Sequence, residues 1–186
     1  LPLIVDEVFA DYARDGAFDR SLAGRQDGLN FVLSGLSKVC GRPGLKLSWI
    51  IVQGPPDDRD KALLRLEHIA DTYLSVNDPV QQNLAAIMAS GAAVRARIRE
   101  RLKKNRNVLG ASDLDVLQSD GGWYAIIRTD HPNDEDLAVA LVENHGYLAH
   151  PGYFYDLPIE GCLVVSLLTA PRTLAAGMAA IHECVS

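Results

Sequence analysis

The order of apolar runs and helical stretches predicts an α/β protein that ends in a smaller α+β lobe. Three observations carry that expectation. Short continuous apolar runs recur at residues 3–5, 29–33 and 45–52. From residue 57 to about residue 106, apolar residues repeat at helical spacing. Beyond that, short apolar runs alternate with two amphipathic segments, in the order βαββα. Continuous runs, as opposed to alternating ones, predict strands covered on both faces.

The elements follow in order. Leu3, Ile4 and Val5 form a first strand that ends in Asp6 and Glu7. The turn-prone residues Asp15-Gly16, Ser21 and 24–28 separate it from a second strand, which Ser34-Gly35 closes. The third run ends at Gly54-Pro55-Pro56. Asp57-Asp58 cap a helix through Lys61, Leu63, Leu64, Leu66, Ile69 and Ala70. After a break at residues 75–79, Asp78 as cap and Pro79 in the first turn start a helix from Val80 to about Arg106. That length, and the basic character of its second half, suit a helix connecting two lobes. Residues 123–127 read as a strand, and Asn133-Asp134-Glu135-Asp136 open a helix that stops at Gly146. Residues 147–150 and 163–168 read as strands and residues 172–185 as a final amphipathic helix. Because residues 1–5 already read as a core strand without a polar lead-in, the chain is expected to be the later part of a longer protein.

Composition narrows the function classes. With 186 residues, 48% hydrophobic and 23% charged, the chain reads as globular and neither disordered nor fibrous. No apolar run approaches the roughly 20 residues of a membrane span, so no membrane partner is expected. A net charge of −6 argues against nucleic acid as a partner, and the basic residues 95–106 read as the solvated face of the connecting helix. Cys40, Cys162 and Cys184 form no CxxC pair and are odd in number, which disfavours a disulfide scaffold and favours a reducing, cytoplasmic setting. His145, His150 and His182 lack ligand spacing with any cysteine or acid, so no metal is assigned.

Chemistry concentrates early. Lys38 follows a strand, in a Gly/Ser-rich turn, where open α/β sheets form their binding crevice. Partly desolvated there, it is a usable amine nucleophile. Asp6 stands at the end of a strand that is a plausible neighbour in the same sheet. Taken alone, a strand-end lysine points at water and an isolated aspartate caps a turn. Together they are the two groups that pyridoxal phosphate chemistry requires, an aldehyde-capturing amine and an acid for a pyridinium.

A wider set of motifs then lines up. Asp6-Glu7-Val8-Phe9-Ala10-Asp11-Tyr12 is followed by Ser37-Lys38 and by Pro43-Gly44-Leu45-Lys46-Leu47-Ser48-Trp49. Downstream come Tyr73-Leu74-Ser75-Val76 with Pro79-Val80-Gln81, Gly121-Gly122-Trp123-Tyr124, His150-Pro151-Gly152-Tyr153-Phe154 and residues 163–169. In this order, across nearly all of the chain, they resemble the class I/II aminotransferases of the fold-type I pyridoxal phosphate enzymes. That family's pattern is an Asp-Glu-Val-Tyr strand end, then Ser-x-Ser-Lys-x-x-Gly-x-Pro-Gly-x-Arg-x-Gly-Trp.

The resemblance implies the later part of a large three-layer α/β cofactor domain over residues 1–95, including the start of the connecting helix. A small α+β C-terminal domain over residues 96–186 would follow. It implies a homodimer that transfers an amino group between an amino acid and a keto acid with pyridoxal 5′-phosphate. A C–S or β-lyase on the same scaffold, a non-catalytic sensor domain and a purely structural fragment are the alternatives. Lys38 would form the Schiff base with the cofactor and shuttle a proton between the substrate's Cα and C4′. Asp6 would keep the pyridine nitrogen protonated. Lys46 stands where most members carry a phosphate-binding arginine, keeping the charge without the planar fork. Ser37 is either a further phosphate donor or a turn residue, and the family's usual phosphate serine falls on Gly35.

Three departures stand out. Phe9 replaces the tyrosine that usually bonds the ring oxygen, with Tyr12 as its candidate substitute. Val164 stands where the substrate-carboxylate arginine usually sits. The family's glycine-containing phosphate loop, stacking aromatic and Asn-Pro motif have no counterpart in the 186 residues, so weak cofactor retention is expected.

Overall fold

A computed structural model describes residues 1–14 and 21–186, so the turn expected at Asp15-Gly16 lies outside the described residues. The chain divides into two compact units, Leu1–Ala96 and Arg97–Ser186. Each combines a sheet with helices.

In the first unit, β1 (Leu3–Asp6), β2 (Asn30–Gly35) and β3 (Ser48–Gln53) form a three-stranded sheet in that order. β1 runs parallel to β2, and β3 antiparallel to it. The third apolar run therefore starts later than expected: Pro43–Leu45 form a short 3-10 turn and the ladder begins at Ser48. Between β2 and β3 sits one helical turn, α1 (Leu36–Val39), where the sequence predicts only a loop.

The helices begin differently than their caps imply. α2 (Pro56–Ala70) opens with Pro56 at its first position, so Asp57 and Asp58 lie inside the first turn and favour the helix through its dipole. The long helix is interrupted as well: α3 (Asp78–Gln82) ends at Asn83, and α4 (Leu84–Gly110) follows. The unit's buried cluster is Leu36, Cys40 and Leu47, with Val39, Trp49, Val80 and Ile87 packed against it.

Within the 186 residues given, β1 and β3 are not covered on both faces. Leu3, Ile4, Ile50 and Ile51 are all exposed, Ile4 by 75%. Two of three strands in so small a sheet are edges, and α2 buries only Ala62.

In the second unit, β4 (Asp115–Val116), β5 (Tyr124–Arg128), α5 (Asp134–His145), β6 (His150–Pro151), β7 (Cys162–Ser166) and α6 (Pro171–Val185) follow the last turns of α4. The sheet order is β4-β5-β7-β6, all antiparallel. The strand expected at residues 147–150 shrinks to two residues, and β4 is additional. α5 is terminated as its sequence dictates. Asn133 Oδ1 accepts from the amides of Glu135 and Asp136, three acids occupy the first turn, and Gly146 closes the helix at φ 69°. Ile127, Leu137, Leu141, Leu163, Leu167 and Ile181 are buried to 2% exposure or less.

Part of the basic run is structural. Arg101 donates to the carbonyls of Leu168 and Thr169, and buried Asn105 to those of Leu167 and Thr169. Arg97 and Arg99 are exposed, as the solvated-face expectation requires. No helix among the described residues is long and apolar enough to cross a membrane.

Candidate active site

Because β1 and β2 are parallel neighbours, their carboxyl ends leave the sheet at one edge. Asp6 ends β1, paired with Leu33, and is exposed. Its Oδ1 accepts from the Val8 amide at 2.9 Å, which turns the chain toward Phe9. β2 ends at Gly35, and α1 then carries Ser37 and Lys38, both half-buried. The Lys38 ammonium lies over the Phe9 ring, 5.1 Å from its centroid. The substitution of Phe9 for a tyrosine therefore leaves an aromatic face against the lysine.

A one-turn helix is a weak platform unless its carbonyls are held from outside. Here they are. The Tyr12 hydroxyl donates to the Lys38 carbonyl at 2.7 Å, and Arg95 Nη1 donates to the Val39 carbonyl at 2.6 Å. Arg95 also stands 3.7 Å from Asp11. One turn earlier on α4, Gly91 leaves room for Cys40: a Cβ there would meet Cys40 Sγ at 2.6 Å. Tyr12 is buried to 1% exposure with its hydroxyl on the Lys38 backbone. The expectation that it substitutes for the missing phenol at position 9 is corrected accordingly.

Lys46 is exposed and ends the 3-10 turn in a left-handed conformation, φ 51°. Two residues on, Ser48 pairs with Gly35 at the last rung of the β2–β3 ladder. At Gly35 a Cβ would stand 2.9 Å from the Ser48 Cβ and 3.0 Å from the Leu47 carbonyl oxygen. Gly35 is extended, φ 178°, so it is there for space and not for backbone freedom.

In the second unit, Val164 is buried in β7, paired with Ile126 on one side and His150 on the other. Around it, buried Asp134 accepts from the amides of Cys162 (2.8 Å) and Tyr153 (3.2 Å), fixing the segment after β6 to β7. Burial, with the Asp134 charge nearby, pushes the Cys162 thiol above its usual range. His150 Nδ1 lies 2.7 Å from the Tyr155 hydroxyl. Among the described residues no group of three His, Cys, Asp or Glu could hold a metal ion.

A family model described as aminotransferase class I and II matches residues 1–181. The chain belongs to that family. Among curated proteins, capreomycidine synthase of Streptomyces vinaceus is 33% identical, matching 97% of this chain and 46% of its own length. Alanine aminotransferase of Mycobacterium tuberculosis is 24% identical, over 96% of this chain and 44% of its own length. The chain thus spans about half the length of the curated relatives it matches. Solved aminotransferases share its fold. One is an alanine aminotransferase from Pyrococcus furiosus (TM-score 0.80, 19% identity, 98% of this chain and 49% of that one). Another is an aminotransferase from Escherichia coli (TM-score 0.79, 18% identity, 98% and 48%).

Set against this aminotransferase pattern, the residues present fit a cofactor with an aldehyde and a phosphate. The amine of Lys38 stands at the sheet edge that Asp6 also reaches, and Lys46 offers a cation beside β3. The tight Gly35–Ser48 rung accounts for the missing serine at position 35, because with Ser48 opposite there is no space for a Cβ. What motif spacing misses is the support of the Lys38 turn by Tyr12 and Arg95, and the pairing of Gly35 with Ser48, which emerges only from the ladder register.

Proposed function

We propose that this chain is the lysine-bearing part of a pyridoxal 5′-phosphate-dependent aminotransferase that moves an amino group between an amino acid and a keto acid. The observation that carries it is the shared edge of β1 and β2, from which Asp6 and the Lys38 turn both emerge. Pyridoxal 5′-phosphate, when bound, supplies an aldehyde for amine capture and a ring that accepts electrons from the substrate's α carbon. Lys38 holds the aldehyde carbon and, when its amine is free, carries the proton at the α carbon. Asp6 accepts the ring N–H. Lys46 sets a point charge against the phosphate, and Ser37 donates a hydroxyl to it. Tyr12 and Arg95 fix the backbone from which Lys38 extends.

Residues 1–95 belong in this reading to the large cofactor domain and residues 96–186 to the small C-terminal one. The active assembly is a homodimer, with the loop at residues 75–79 near the partner; exposed Tyr73 and Leu74 beside that loop support this. Three unpaired cysteines support a cytoplasmic setting. With Val164 apolar, the substrate carboxylate is held by something other than an arginine on β7.

The 33% identical relative is named a synthase and not an aminotransferase, which motivates a second reading, a C–S or β-lyase on the same scaffold. Product analysis of the cofactor-loaded protein with single amino acids separates the readings. A keto acid together with the amine form of the cofactor is expected. Ammonia with pyruvate would establish the lyase instead, and neither product, despite cofactor bound to Lys38, would leave a sensor.

A further inference from the structure

We infer that Gly91 is a positioning residue for Lys38, because it sets how closely the turn that carries the lysine lies against α4. The inference rests on the aminotransferase reading above and adds one residue to it. Gly91 sits in the interior of α4, in a stretch that otherwise uses Ala85, Ala86, Ala89, Ala92 and Ala93. Inside a helix glycine is less favourable than alanine, since it loses more backbone freedom on folding. Gly91 lies in regular helix and has no positive φ, so backbone freedom does not explain it.

Space does. Gly91 is buried, although Ala92 and Ala93 beside it are exposed. A Cβ at position 91 would stand 2.6 Å from Cys40 Sγ, 3.0 Å from Cys40 Cβ and 3.1 Å from Cys40 Cα. The three nearest atoms thus belong to one residue, and the crowding would push that residue off the helix. Cys40 is fully buried, with its thiol directed at Met88 Sδ 3.6 Å away, so close-packed neighbours oppose a swing of the sulfur. With the sulfur turned aside, the contacts to Cβ and Cα would still be too short.

What moves with Cys40 is the lysine turn. Cys40 ends α1, two residues after Lys38, and its amide donates to the Leu36 carbonyl at 3.1 Å. α4 receives the turn along one stripe, with Met88, Gly91 and Arg95 at i, i+3 and i+7. Met88 accepts from the Cys40 thiol, Gly91 admits the Cys40 backbone, and Arg95 donates to the Val39 carbonyl at 2.6 Å. An outward shift of α1 would stretch the Arg95 bond and disturb the bond from the Tyr12 hydroxyl to the Lys38 carbonyl, 2.7 Å long. The depth that Gly91 allows is therefore the depth at which both bonds to the turn are made.

The test labels the intact chain with pyridoxal 5′-phosphate and cyanoborohydride. The Lys38 amine adds to the aldehyde with loss of water, hydride is delivered to the C=N bond, and peptide mapping quantifies the adduct. Exposed Lys103 serves as the internal reference. Gly91→Ala should slow labelling of Lys38 about three- to tenfold, with Lys103 unchanged and circular dichroism retained. Adding Cys40→Ala removes the 2.6 Å contact and should recover most of the rate, a rescue that general destabilisation would not give. Unchanged labelling of Lys38 in Gly91→Ala, equal slowing at Lys38 and Lys103, or no recovery in the double variant would overturn the inference. If Gly91→Ala does not fold, the double variant decides: a folded chain with label at Lys38 supports the inference, and a chain still unfolded overturns it. Absence of label at Lys38 in the unsubstituted chain would instead overturn the proposed function itself.

Discussion

The two sheets of this chain bury their strands to very different degrees. In the second unit, the central strand β7 carries Cys162, Leu163 and Val164 buried in succession, and α5 and α6 contribute Leu137, Leu141 and Ile181 to the same kind of interior. In the first unit, β1 and β3 leave Leu3, Ile4, Ile50 and Ile51 open, and the buried residues include Tyr12, Val32 and Val52 beside the cluster of Leu36, Cys40 and Leu47. Yet the candidate site residues Lys38, Asp6 and Lys46 all belong to the open unit. Lys38 is held less by apolar burial than by directed bonds, from Tyr12 and Arg95 to consecutive backbone carbonyls. Both units bury apolar residues, but the Lys38 turn itself is held by placed hydrogen bonds.

Large-to-small substitutions sharpen this contrast most. Leu163→Ala or Leu141→Ala should cost about 2–5 kcal/mol in denaturant unfolding, whereas Ile4→Ala should stay within about 0.5 kcal/mol. Comparable losses at both would erase the distinction. Next comes Gly35→Ser, which forces a Cβ against Ser48 and should cost about 1–3 kcal/mol. Combining it with Ser48→Gly removes the 2.9 Å contact and should recover part of the loss, a coupling that a double-mutant cycle measures. Tyr12→Phe deletes one hydrogen bond in the interior and should cost about 1 kcal/mol, with a matching drop in the rate at which Lys38 captures an aldehyde.

The smallest effect concerns thiols. Cys162 is fully buried, and its thiol is pushed upward, so near neutral pH it holds its proton and stays protected. Iodoacetamide should reach half-buried Cys184 first, in a mass-spectrometric time course. Early modification of Cys162 would mean that the interior of the second unit opens readily.

Much of this was legible in the residues alone. Apolar runs located the strands, Asn133 and Gly146 marked the ends of α5, and the motif order placed Lys38 and Asp6 at strand ends. What escaped depends on contacts across long stretches of chain. The turn α1 is too short to show a period, and Tyr12 and Arg95 reach it from 26 and 56 residues away. The pairing of Gly35 with Ser48 is a property of register, which no single strand carries. Double coverage of the strands is not seen at β1 and β3 within the residues given, and an apolar run by itself does not say which segment covers it.

The central claim is that one amine, at Lys38, captures the cofactor's aldehyde. Borohydride treatment after incubation with pyridoxal 5′-phosphate, followed by peptide mass mapping, addresses it directly. A single dominant adduct is expected on the peptide containing Lys38, abolished in Lys38→Ala. Label spread evenly over exposed lysines such as Lys46, Lys103 and Lys104, and unaffected by Lys38→Ala, would contradict it.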